Sequence, residues 1–216
     1  MTDVIFTDIR TGKPISALND LRLVMSGKDI SPPSPEILRV PIEGHSGTVD
    51  LSEWTGDVQY SDRSIGISTS ALGRHDELQK ITHNAQNVLT GRRFRVVFTD
   101  DPEYYYTGRC ERLTVDRQRG IIEIGIDFVC EPWKLRRDKT NIIVDIVTED
   151  TIALLCDRMP TIPTITVSAP VALYYGGMTY NLGKGRHSPF TLREGVAEVR
   201  IAGTAVVAIE YQEGAL

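Results

Sequence analysis

The stretch IIEIGIDFVC at 121–130 alternates without a break: Ile122, Ile124, Ile126, Phe128 and Cys130 fall on one side, Glu123 and Asp127 on the other. A period of two sends successive side chains to opposite faces, so the segment reads as a β-strand with one buried face. RCERLTV precedes it across the polar stretch DRQRG, and the two read as a long hairpin over about residues 104 to 130. Facing Val115 with Ile121 across that turn sets Cys110 opposite Ile126 and Arg109 opposite Asp127. The Arg109–Asp127 pair would contribute ~0.2–1 kcal/mol as a cross-strand contact. Cys110 and Cys130 do not meet in this register. With no CxxC pair, the three cysteines read as buried free thiols rather than a metal or redox site.

The same alternation recurs at Phe94, Val96 and Phe98, and at Ile65, Ile67, Thr69 and Ala71. Near the N-terminus, Leu21, Leu23 and Met25 share a face. One segment departs from it. In HDELQKITHNAQNVLTG, Leu78, Ile81, Ala85 and Val88/Leu89 recur at helical spacing. Asp76 and Glu77 suit the positive end of that helix, and Gly91 can end it in a left-handed turn. SPPSPE at 31–36 lacks three amide donors and reads as an exposed connector. VPIEGHSGTVDLSEWTG follows as a glycine-studded loop with an apolar contact at Val49, Leu51 and Trp54. EPWKLRRDKTN reads as a basic exit segment, and beyond it short apolar segments come with turn glycines every eight to twelve residues. The expected architecture is mainly β. An N-terminal β-sandwich with one α-helix and a long β-hairpin spans 1–145, and a small all-β module spans 146–216.

A formal charge of −5 over 216 residues argues against a dedicated nucleic-acid binder. No apolar run approaches the ~20 residues of a membrane span, and MTDVIFTDIRTGK is not a signal peptide, so synthesis in a cytoplasm without membrane insertion is expected. Catalytic readings fare poorly. Asp100 and Asp101 are adjacent in FTDDPEYYYTGR and cannot flank one glycosidic bond; with Glu103 they belong to a turn. GHSGT at 44–48 misses the nucleophile-elbow spacing. His75 and His83 lie ~80° apart around the helix and do not converge on a metal. GKGRH precedes a strand rather than a helix and reads as a turn. No catalytic set, metal site or cofactor site is expected. A carbohydrate-binding reading rests on Tyr174, Tyr175 and Tyr180, with the YYY cluster as a second platform.

Taken in order, several motifs resemble one family. EGHSGTVDLSEWTGDVQYSDRSI, NVLTGRR, FTDDPEYYYTGR and DFVCEPWK are similar to the run of motifs in distal tail proteins (Dit) of long, non-contractile-tailed phages. The closing segment, MPTIPTITV through IEYQEGAL, resembles a β-rich module of phage and prophage tail tips. The resemblance implies a tail-tube-like N-terminal domain that closes into a homo-hexameric ring in the virion tail tip. Its implied neighbours are the major tail-tube protein and the tail-tip hub or tail-associated protein, with the tape-measure protein a further candidate. DNA passes through the channel without specific binding. Under this reading FTDDPEYYYTGR is a corner: Asp101-Pro102 turns the chain, Tyr104, Tyr105 and Tyr106 wedge it, and Gly108 admits a close backbone approach. The hairpin beyond it, with Arg109 and Asp127, would then lie against a neighbouring subunit.

Overall fold

The period-two segments form the strands of the core. The computed structural model describes residues 2–44, 46–54 and 56–216; His45 of the GHSGT stretch lies outside them. Contacts divide the chain into units 1–132 and 133–216. Residues 133–145, which composition attached to the first domain, therefore fall in the second unit.

The first unit runs β1 (Val4–Asp8), β2 (Pro14–Ser16), β3 (Val24–Ile30), β4 (Arg39–Pro41), β5 (Thr48–Asp50), β6 (Arg63–Leu72), α1 (His75–Leu89), β7 (Arg93–Phe98), β8 (Tyr104–Gln118) and β9 (Ile121–Arg136), whose residues from Trp133 on belong to the second unit. Its main sheet has the order β2-β1-β7-β8-β9-β6-β3. Phe6 on β1 stacks on Phe128 of β9 with ring centroids 5.5 Å apart. Three strand spacings of ~4.8 Å separate those strands in a flat sheet. The sheet must therefore curl until its inner faces meet, which gives the sandwich-like core expected from sequence. Phe94 completes the cluster edge-on to both rings. Ile122, Ile124, Ile126, Phe128 and Cys130 are buried as the alternation requires, and so are Ile65, Ile67, Thr69 and Ala71.

The helix closes the core with Leu78, Ile81, Thr82, Ala85 and Leu89. Thr82 satisfies its buried hydroxyl by donating to the Leu78 carbonyl at 2.9 Å. Glu77 Oε2 accepts from the Arg74 amide at 3.2 Å, closing the first turn. Gly91 takes φ +74° just past the end, and its amide donates to Cys110 O. That is the left-handed stop the sequence called for.

The β8–β9 turn is tighter than expected. Strand structure continues through Gln118 and resumes at Ile121, leaving Arg119 and Gly120 as the loop. Shortening the loop moves the register. Arg112, not Arg109, meets Asp127, at 3.0 Å, while Arg109 Nη1 donates to Gly91 O at 2.6 Å. Strand β9 is paired with β6 from Ile121 opposite Leu72 to Cys130 opposite Arg63. The hairpin thus sits inside the sheet.

The second unit carries β10 (Thr140–Ile146), β11 (Glu149–Cys156), β12 (Thr164–Val167), β13 (Val171–Tyr175), β14 (Met178–Leu182), β15 (Gly185–His187), β16 (Gly195–Gly203), β17 (Ala205–Tyr211) and β18 (Gly214–Ala215). Two four-stranded sheets, β10-β17-β12-β15 and β11-β16-β13-β14, close on a core that includes Ile146, Leu154, Leu173, Ile201 and Ile209. Strand β18 pairs, within this unit, with the end of β9 at Lys134 and Leu135.

All three cysteines are buried and free. Burial pushes the Cys110 and Cys130 thiols up to about 12, and raises Cys156 as well. Thiolate is the reactive form. At pH 8 the native protein is therefore expected to resist a charged thiol reagent that labels all three cysteines once it is denatured. Rapid labelling of the native state, read by intact-protein mass spectrometry, would contradict this packing.

Candidate assembly surface

The FTDDPEYYYTGR segment is a hairpin turn rather than a corner. Strands β7 and β8 run antiparallel, with Val96 opposite Tyr106 and Phe94 opposite Gly108. The chain reverses between them through residues 99–103, with the Asp101 amide donating to Phe98 O at 3.0 Å. Pro102 follows in that turn. Lys28 binds Asp100 at 2.7 Å and lies 4.5 Å over the Phe98 ring. That hydrogen bond holds the Asp100 carboxyl below the usual carboxylate range, so it stays ionised. The tyrosines divide between faces. Tyr106 enters the core edge-on to Phe98, whereas Tyr105 points the other way under the Arg95 guanidinium. Tyr104 is half-buried at the start of β8. As a stacking platform the three do not act together.

In the second unit, Tyr175 and Tyr180 both pack on Phe190, with centroids 4.3 and 6.0 Å away. Tyr175 donates to Thr191 O. Tyr174 alternates to the opposite side of β13 and lies 4.2 Å beneath the Arg200 guanidinium. The structure brings two of the three proposed glycan contacts together and turns the third away.

The most unusual surface is residues 31–62, between β3 and β6. Prolines open it, as read from the sequence, and described residues of the glycine-studded part form a ribbon. Glu36 and Ser61 amides donate to Gln59 O and Ser34 O, Leu51 donates to Leu38 O, and β4 pairs with β5. Leu38 also donates to Ser52 Oγ, which in turn donates to Asp50. This arm exposes Ile37, Leu38, Val40, Ile42 and Trp54, the last at 80%. Ile37, Leu38, Leu51 and Trp54 line an open cavity of about 390 Å³. The expected apolar contact of Val49, Leu51 and Trp54 thus leaves the indole in solvent.

The arm also carries the net charge. It holds six carboxylates (Glu36, Glu43, Asp50, Glu53, Asp57 and Asp62) against one cation, Arg39. Its balance of −5 equals that of the whole chain, so the remaining residues are neutral overall. An isolated two-stranded ribbon is marginal in water, and contiguous exposed apolar groups mark an interaction surface. The placement of acids around ILRVPI and EW was visible in the sequence; the exposure was not.

Among solved structures, that of the SPP1 Dit protein, described as a paradigm of the hub adsorption apparatus in phages infecting Gram-positive bacteria, superposes with a TM-score of 0.72 over 100% of both chains. The chain has the Dit fold. Sequence identity over that superposition is 16%, so what the two chains share is the path of the backbone. A de novo designed double-stranded β-helix overlaps 35% of the chain at a TM-score of only 0.27. No family profile and no curated protein matches the sequence. The Dit fold extends through both units, including the small module that the sequence pattern matched least closely.

Proposed function

We propose that the chain is a structural component of a bacteriophage or prophage tail tip, a distal tail protein. Its copies close into a six-membered ring that joins the tail tube to the hub and leaves a channel for DNA. The observation that carries this reading is the arm. A lone chain leaves an apolar, acidic ribbon in water, and a ring of copies would cover it. A heterologous contact closes into a ring when each copy is rotated by a fixed angle from the last. The sheet edges do less than the arm for this purpose. Strand β2 is three residues long, and β3 carries Lys28 and a register shift between Met25 and Gly27. Short strands, bulges and lysine all blunt edge pairing.

The neighbours in such a tip are the tail-tube protein above the ring and the hub or tail-associated protein below it, with the tape-measure protein in the channel. DNA passes without being gripped, consistent with a net-acidic chain. Native mass spectrometry of the purified protein tests the ring. The expected species is a closed assembly of about six copies of the 24.0 kDa chain. A monomer that persists at high concentration, both alone and with tail partners, would defeat the proposal.

A further inference from the structure

The arm calls for a partner surface with an apolar floor and a basic rim, and one cavity of the first unit has both. It lies between the start of α1 and the β8–β9 turn and measures about 220 Å³. Leu78 and Ile122 are its apolar lining, and the exposed Arg117 and Arg119 line it as well. No carboxylate lines it, and neither arginine has an ion-pair partner among the described residues. Asp76 lies in the first turn of α1 and Asp116 on β8 next to Arg117, while Glu77 is turned back on the Arg74 amide. Ile122, a wall of the cavity, is paired with Ala71 near the end of β6. A cavity of roughly 150 Å³ already accepts a benzene ring.

Plug and socket sit at opposite ends of one strand. The arm departs where β3 ends and β6 begins, at Ile30 and Arg63, whereas the cavity's Ile122 pairs with Ala71 near the far end of β6. Ten strand residues span roughly 33 Å, which suits a contact that passes from each copy to the next.

We propose that Trp54 of one copy seats in this cavity of a second copy, with Glu53 and the acids around it meeting Arg117 and Arg119. The proposal rests on the ring reading and names the surfaces that make its contact. Aromatic anchors ringed by charge are the usual centre of such interfaces.

The test uses two full-chain variants, Trp54→Ala and the double Arg117→Glu/Arg119→Glu, followed by native mass spectrometry. All three positions are exposed, and unchanged thermal melts would show that both variants fold. The wild type is expected to assemble, and each variant alone is expected to remain monomeric. Mixed one to one, they should give a heterodimer and no ring. The intact arm of the arginine variant enters the intact cavity of the Trp54 variant, and the remaining arm and cavity are both defective. If the arginine variant assembles like the wild type while Trp54→Ala does not, the arm docks elsewhere: this inference falls and the ring stands. If the wild type itself never assembles, the ring reading falls first.

Discussion

Replacing Gly108 with alanine is expected to destabilise the first unit by about 3 kcal/mol, lowering Tm by roughly 10 °C in a chain of this size. Gly108 lies on β8 opposite Phe94, with Cys130 of β9 against its other side. A Cβ built there would stand 2.3 Å from Cys130 Sγ, 2.6 Å from the Val129 carbonyl oxygen and 2.9 Å from Cys130 Cα. The thiol could swing aside, but the other two atoms are backbone. Moving them would pull β9 away from β6, where Cys130 is paired with Arg63. Trimming the sulfur in a Gly108→Ala/Cys130→Ala double variant should therefore recover only part of the loss. Gly66 on β6 provides the contrast. An added Cβ there meets nothing closer than Asp127 Oδ1 at 3.8 Å, so Gly66→Ala should be neutral or gain up to ~1 kcal/mol from reduced chain entropy. Equal melting temperatures for Gly108→Ala and wild type would show that the two strands do not approach as described.

Much of the first unit was legible because period and burial agree. A run such as Ile122, Ile124, Ile126 and Phe128 admits only one assignment of faces, and the helix from His75 was marked by spacing, first-turn acids and Gly91. Register was harder to read. Turn residues alone do not say whether DRQRG is a five-residue loop or two residues flanked by strand, and that difference exchanged Arg109 for Arg112 at Asp127. The hairpin's place within the sheet was also hidden, because it depends on β6, a partner remote in sequence. The candidate site was missed for another reason. Glycines and acids between 42 and 57 make that stretch read as a loop, whereas the exposure of Ile37, Leu38, Ile42 and Trp54 is a statement about what is absent from around them. Only the location of the charge, all of it within residues 31–62, could have drawn attention there.

One inward-facing residue of β6 breaks the apolar pattern, and its replacement has an unusual expected sign. Arg63 is two residues before Ile65, shares its face, and is only 4% exposed. Among the described residues, its Nε and Nη2 have no hydrogen-bond acceptor. The guanidinium carbon lies 5.3 Å from the Tyr106 ring centroid, and burial lowers the arginine pKa while raising that of Tyr106. Two effects compete here. A desolvated cation–π contact is worth ~2 kcal/mol, whereas burying a charge without a counterion costs several kcal/mol, and each orphaned donor adds about 1–3 kcal/mol. The penalty is the larger. Methionine is apolar, unbranched and flexible enough to follow the arginine stem, so Arg63→Met is expected to stabilise the fold by about 1–3 kcal/mol. The measurement is urea unfolding, in which the midpoint should rise while the slope stays constant. Because the side chain is enclosed, assembly should be unaffected, which separates this residue from Trp54, Arg117 and Arg119. A lowered midpoint would mean that buried water or another acceptor completes the Arg63 hydrogen bonds, and that the guanidinium is part of what holds β6, β8 and β9 together.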